Sequence, residues 1–256
     1  MPEISLNMLL ILCPLIFLSC FVDAVAGGGG VISLPAYLFI GLPSHYALAS
    51  NKFSAFVGGI SATLKYITSG KINFSAAIWS AVGALIGASI GSGFALFIAS
   101  ETLKTIMLVA LPIVAVFLVW QKDKMISPKP VQRTNIQKIV ISFLIGLGMG
   151  FYDGLIGPGT GTFMIMLFSA LLGYDLLTSS GCAKLSNLAS NMASVVIFLF
   201  SGKIVYILAI PAAVCGALGA YFGAKYAIKG GSKKVQYFMF VVLIMLFVKF
   251  AFDLFA

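Results

Sequence analysis

Charge is what this sequence lacks most. Only 9% of its 256 residues are charged, against about 25% in an ordinary soluble domain. There are 16 basic and 7 acidic side chains, 23 in all, where a soluble chain of this length carries roughly 64. So few charges cannot cover a soluble protein of 27.0 kDa. A soluble enzyme, a disordered chain and a nucleic-acid-binding domain are thereby excluded, and nucleic acid is no expected partner. Histidine is nearly absent: His45 is single, follows Pro43-Ser44 and reads as a loop residue. No HExxH, CxxC or GxSxG stands in a supporting context, and no Ser/His/Asp set is present, so neither a catalytic site nor a metal site is expected. No cofactor is expected either. The four cysteines, Cys13, Cys20, Cys182 and Cys215, lie in apolar runs without metal-ligand or paired spacing. They read as small packing residues.

Apolar sequence is what is plentiful. It makes up 61% of the chain and falls in long runs. A helix needs about 20 apolar residues to cross the hydrocarbon core. Adequate runs are 5–26, 46–68, 72–98, 104–120, 137–156, 176–200, 204–224 and 235–255. The start, MPEISLNMLL, has no basic region and reads as part of a retained span. Two further pieces, 31–42 and 162–172, are too short to span alone. Each follows a glycine cluster, Gly27-Gly28-Gly29-Gly30 or Gly157-Pro158-Gly159-Thr160-Gly161. Gly costs about 1 kcal/mol and Pro about 3 in a helix interior. Each cluster therefore predicts a long helix, a break inside the membrane and a half-helix.

The breaks belong to an internal repeat. Phe21-Val22-Asp23-Ala24-Val25-Ala26-Gly27 aligns with Phe151-Tyr152-Asp153-Gly154-Leu155-Ile156-Gly157 at an offset of 130. Beyond a two-residue insertion the offset is 132, which sets Lys52 on Lys184 and Ser69-Gly70-Lys71-Ile72 on Ser201-Gly202-Lys203-Ile204. From 41/173 to 95/227, 15 of 55 aligned residues are identical. The expected fold is an all-α polytopic membrane protein of eight long spans and two half-helices. Its one transporter domain, 1–256, divides into a first repeat (1–120), a cytoplasmic linker (121–135, QKDKMISPKPVQRTN) and a second repeat (136–256). Charge placement orients it. If each broken helix returns as a hairpin, the halves are inverted and the basic residues split 12 inside to 4 outside. Parallel halves would give 9 to 7. The positive-inside rule favours the first, with both termini on the periplasmic side.

Candidate site residues cluster at the breaks. Asp23 and Asp153 occupy equivalent positions. A carboxylate in a membrane marks an ion or substrate pathway by default, although an Asp near a helix end also serves as a cap. A half-helix starting after Gly30 or Gly161 points its N–H groups and dipole into the interior, where Ser33, Thr160 and Thr162 add hydroxyls. Gly28, Gly29, Gly157 and Gly159 let a ligand approach the backbone closely. The GGGG run resembles a phosphate loop only superficially, as no GKS or GKT follows it. Lys52 and Lys184 recur in both repeats. Each either snorkels, neutralises an anionic substrate or pairs with an Asp. Asn51, Asn187 and Asn191 extend a polar face, with Lys184, Asn187 and Asn191 at i, i+3 and i+7 on one helical stripe. Gly83, Gly87 and Gly91, with Gly219 and Gly223, form small-xxx-small packing faces.

Two of these stretches resemble known signatures. Asp23-Ala24-Val25-Ala26-Gly27-Gly28-Gly29-Gly30-Val31-Ile32-Ser33-Leu34-Pro35 resembles the first-half signature of the sulfite exporter TauE/SafE family. Gly150-Phe151-Tyr152-Asp153-Gly154-Leu155-Ile156-Gly157-Pro158-Gly159-Thr160-Gly161 is similar to its second. Asn51-Lys52 and Lys184-Leu185-Ser186-Asn187-Leu188-Ala189-Ser190-Asn191 also match, most like the YfcA-like branch. Ala49-Ser50 departs where Gly-Thr precedes Asn-Lys in the family's pattern, as does Gly181-Cys182-Ala183 before Lys184. The resemblance implies a bacterial inner-membrane permease for small sulfur-containing anions such as sulfite or organosulfonates.

The expected function is thus a secondary transporter whose partners are a small anion and the lipid bilayer, with a homo-oligomer left open. Glycine breaks and hydroxyls would hold the anion, Lys52 and Lys184 would supply charge, and Asp23 and Asp153 would couple to protons or gate. One half would rock against the other. The alternatives are an anion channel or a transporter of another small organic anion. A membrane enzyme lacks a catalytic constellation, and a scaffold would not need matched Asp, Gly and Lys.

Overall fold

The structure, a computed structural model, describes residues 6–103, 105–106, 109 and 131–255, with side chains to 238. Among the described residues every regular element is a helix. The main ones are α1 (Leu6–Ala26), α2 (Gly30–Phe39), α3 (Ser44–Thr68), α4 (Phe74–Phe97), α5 (Asn135–Leu155), α6 (Thr160–Leu172), α7 (Leu176–Phe200) and α8 (Tyr206–Phe255). The expected span 104–120 and residues 121–130 of the linker lie outside the described residues.

Five described helices are long and apolar enough to cross a membrane: α1, α4, α5, α7 and α8 through Phe238. Although α3 has 25 residues, about 37 Å at 1.5 Å per residue, Lys52, Lys65 and a face of Ser and Asn make it less apolar. The separate helices expected at 204–224 and 235–255 follow one another across a kink at Gly231, which leaves helical geometry (φ 66°, ψ −166°), and are labelled together as α8. The linker ends one residue earlier than expected. Thr134 accepts from the Gln137 N–H while Gln137 returns a bond to the Thr134 N–H, which starts α5 at Asn135.

Both breaks fall at the glycine clusters. Gly27 (φ 77°) ends α1, and Gly157 (φ 97°) with Gly159 (φ 82°) separates α5 from α6. These left-handed positions suit glycine alone. After the first break the chain folds back on α1, so that the Ser19 hydroxyl donates to Gly29 O at 2.7 Å.

Glycine stripes set the helix pairs. A methyl group on Gly83, Gly87 or Gly91 of α4 would overlap the carbonyl oxygen of Phe143, Leu147 or Phe151 of α5. One on Gly219 or Gly223 of α8 would overlap that of Phe17 or Phe21 of α1. The rising order of partners means that α4 runs parallel to α5, and α8 parallel to α1. By contrast α3 and α7 are antiparallel neighbours: Val205, just past α7, donates to Ser50, Gly59 lies on Leu188, and Gly181 lies on Lys71.

The α4–α5 seam yields a stability prediction. Gly87→Leu is expected to cost about 3 kcal/mol or more, since neither backbone can retreat. That is roughly 6–12 °C of thermal midpoint in a protein of this size. Gly93, with nothing within 4 Å, provides the control: Gly93→Ala should move the midpoint by less than about 2 °C. Thermal unfolding of the detergent-solubilised protein tests both.

Candidate functional site

The four intramembrane charges pair across the repeats. Lys52 Nζ on α3 lies 2.7 Å from Asp153 Oδ2 on α5, and Lys184 Nζ on α7 lies 2.7 Å from Asp23 Oδ2 on α1. The offsets of 132 and 130 exchange these two pairs. Both lysines are therefore ion-paired to an Asp and do not snorkel. A buried charge persists only with such a partner.

The two pairs have different surroundings. Lys52 and Asp153 keep 2% and 4% of their side-chain surface, and the Ser190 hydroxyl also donates to Asp153. At the other pair Lys184 is sealed at 1%, while Asp23 remains 28% exposed. The position equivalent to Ser190 is Gly58, which offers no hydroxyl. Asp23 instead receives the Gly29 N–H at the start of α2, at 3.4 Å. A carboxylate there complements the helix dipole.

Between the pairs lies a cavity with about 40 Å³ open to water centres, room for only a few waters. Asp23, Gly29, Gly30, Ser33, Asn51, Lys52, Asp153, Gly157, Gly161, Asn187 and Asn191 line it. Asn51 is 5% exposed, and its side-chain oxygen has no partner. A buried amide of this kind requires a water or ligand. Asn187 and Asn191 hydrogen-bond to each other at 3.0 Å.

A family model described as "Sulfite exporter TauE/SafE" matches residues 12–250. The chain belongs to this family. It is 30% identical over 253 residues to "Probable membrane transporter protein ORF9" of a Sinorhizobium species, covering 99% of this chain and 96% of that protein. A "Probable membrane transporter protein" of Haemophilus influenzae is 29% identical, covering 98% and 97%. "Probable membrane transporter protein YfcA" of Escherichia coli K12 is 28% identical, covering 92% and 87%. No solved structure matches. With these relatives, the chain is a membrane transporter.

In this TauE/SafE member several sequence-selected residues fall away from the cavity wall. Gly28, Gly159, Thr160, Thr162 and Lys184 do not line it. The threonine hydroxyls are engaged by backbone: Thr160 donates to Gly157 O and Thr162 to Ala26 O, at 2.7 and 2.8 Å. The Thr162 N–H also meets Gly27 O at 3.2 Å. The N-terminus of α6 thus satisfies the C-terminal carbonyls of α1, which a helix end buried in the membrane requires. Both half-helix starts therefore reach the cavity, α2 through Gly29, Gly30 and Ser33 and α6 through Gly161 alone, its threonine hydroxyls being engaged elsewhere.

Sequence reasoning missed Ser19, Cys20, Ser54, Gly58 and Gly59, which also line the cavity. It also missed the ladder on α7. Ser186 pairs with Ser80 and Ser194 with Ser92, each at 2.8 Å, while Ser190 holds Asp153. The signal was present, since Ser186, Ser190 and Ser194 recur every four residues.

Proposed function

We propose that this chain is a secondary transporter of small sulfur-containing anions, sulfite or small organosulfonates, in a bacterial inner membrane. In this reading two inverted halves, 1–120 and 136–256, flank a cytoplasmic linker at 121–135, and both termini are periplasmic. The packing register supports inversion: α3 runs antiparallel to its counterpart α7, while α1 and α4 run parallel to helices of the opposite half. The uneven basic residues support the orientation, and the family description supports the substrate class.

The observation that carries the reading is the position of Asp23. Its carboxylate faces the cavity, holds Lys184 and accepts from the N–H of Gly29, the cap residue of α2. These are the donors an incoming anion would use. Substrate anion and ionised Asp23 therefore compete for them. A proton on Asp23 frees Lys184 and the α2 end together, so that a monoanion, hydrogen sulfite or a sulfonate, and a proton enter as a neutral pair. Asn51, which lines the cavity, would offer its amide N–H groups as further donors.

Uptake into proteoliposomes tests this. Sulfite uptake is expected to saturate and to rise with an inward proton gradient. Asp23→Asn is expected to abolish the stimulation by the gradient while preserving sulfite exchange at equal pH on both sides. Uptake linear in sulfite and indifferent to the gradient would establish the channel reading instead. Transport of neither sulfite nor a small sulfonate would overturn the substrate.

A further inference from the structure

We infer that the units moving against one another are two composite bodies, α1–α2–α3–α8 and α4–α5–α6–α7, and not the two halves of the sequence. Each half has given its last described helix to the other. The inference rests on the transporter reading, because alternating exposure is what such motion serves.

Contacts inside each body interlock at the level of the backbone. In the first, Gly216 lies on Cys20 and Ile16, while Gly219 and Gly223 lie on the carbonyls of Phe17 and Phe21. The rings of Phe21, Tyr226 and Phe238 pack in tilted and edge-on contact with centroids 5.6–5.9 Å apart. Tyr66 donates to Ala24 O at 3.0 Å, Tyr37 to Ser54 at 3.1 Å, and Val205 N–H to Ser50 at 3.0 Å. These bonds fasten α3 to α1, α2 and the start of α8. In the second body the glycines of α4 meet α5 carbonyls, and Gly146 and Gly150 of α5 meet the carbonyls of Ser80 and Ala84 in return. The serine ladder then fastens α7 to α4 and α5.

The seam between the bodies is built otherwise. The two ion pairs cross it, as do the bonds from Thr162 to residues 26 and 27. At one end His45 bonds Ala95 O and Ser100, each at 3.1 Å. At the other Ser232 bonds Asp175 at 3.0 Å and accepts from the Leu177 N–H at 3.2 Å. These two rim contacts are repeat equivalents, since Ser100 and Ser232 differ by 132, as do His45 and Leu177. Elsewhere, among the described residues, the seam holds only isolated close contacts and no glycine stripe: Gly27 packs backbone to backbone on Gly161 where the two breaks meet, and Gly59 lies on Leu188. Exchangeable polar contacts can break and reform, whereas interdigitated backbones do not slide continuously. The cavity lies in this seam, with Asp23 and Asn51 on one wall and Asp153, Asn187 and Asn191 on the other. Rocking of the sequence halves would have to separate α1 from α8 and α4 from α5, whose glycine stripes interlock over several turns.

Thiol cross-linking with an ethylene-spaced bis-methanethiosulfonate tests the inference. Cys13 and Cys215 are native, and their thiols lie within interaction distance across α1 and α8. Linking them in proteoliposomes is expected to leave sulfite uptake within about twofold of the reduced protein. Gly59→Cys with Leu188→Cys spans the seam; that link is expected to lower uptake about tenfold relative to the same protein after dithiothreitol. A second readout needs no substrate: Cys20 lines the cavity, and its reaction with a membrane-impermeant thiol reagent should slow under the seam link alone. Loss of both readouts on linking Cys13 to Cys215 would overturn the inference, as would a seam link that changes neither. Should the double variant fail to fold, the native pair decides alone, because moving halves require its link to block. Absence of sulfite uptake in unlinked protein would sink the substrate reading only, with the Cys20 rates still deciding the bodies.

Discussion

Asp153→Ala is expected to unfold much of the population, whereas Lys52→Met with Asp153→Leu is expected to fold well and not transport. The single change leaves Lys52 with 2% of its side chain exposed and its carboxylate gone. An unpaired buried charge costs about 3–5 kcal/mol, a large part of the 5–15 kcal/mol typical of a whole domain. The Ser190 hydroxyl would lose one acceptor, keeping the Asn187 carbonyl. In the double variant two apolar chains of similar volume occupy a site walled by helices. Replacing both ions of a buried pair is commonly neutral or stabilising. Transport should nevertheless stop, since the pair crosses the seam between the two bodies and its exchange is part of the motion. Thermal midpoints in detergent and sulfite uptake in proteoliposomes read the two effects separately. A single variant as stable as wild type would mean that water reaches Lys52.

Why this partner for Lys52, and not Asp23, was invisible in the sequence follows from the repeat. Pairing within a half and pairing between halves both obey the same internal symmetry, so equivalence of the residues cannot choose between them. The choice is made by the glycine stripes. Gly83, Gly87 and Gly91 were legible as a packing face, but a stripe does not name its partner. Only when α4 lies on α5, and α8 on α1, does Lys52 of α3 come to Asp153.

Most helices were legible because the apolar runs are long and glycine or a capping residue bounds them. Thr134 and Gln137, three apart, mark the start of α5, and Asp175 marks that of α7 by accepting from Leu177 and Thr178. The site was legible in its charges and glycines, less so in its hydroxyls. Thr160 and Thr162 look as available to an anion as Ser33 does. Their hydroxyls go to the carbonyls of Gly157 and Ala26, because the membrane supplies no water for those groups. The two breaks thus differ in use while matching in sequence: α6 meets the cavity through Gly161 but spends its Thr162 donors on α1, and α2 starts at the cavity with Gly29, Gly30 and Ser33.

That difference makes Asn51 the most informative position for affinity. Its repeat equivalent is Ala183, so it belongs to one wall only. It lines the cavity on the turn that also carries Lys52, is 5% exposed, and its side-chain oxygen has no protein partner, so its amide N–H groups are free to turn toward a bound anion. Asn51→Ala removes a donor from a bound anion and is expected to weaken sulfite binding about tenfold, as loss of one hydrogen bond to a charged group does. Stability should change little, since no protein bond is broken at that oxygen. Asn51→Asp keeps the shape and adds a carboxylate. At about 4 Å from the anion, with an effective dielectric near 20, repulsion amounts to about 4 kcal/mol, on the order of 10³-fold in affinity. Acidification should recover part of the loss in Asn51→Asp, as protons neutralise the new carboxylate, and none of it in Asn51→Ala. Concentration dependence of sulfite uptake across pH, measured for both variants, checks the pair. Equal losses in the two would mean that Asn51 shapes the cavity wall without meeting the anion.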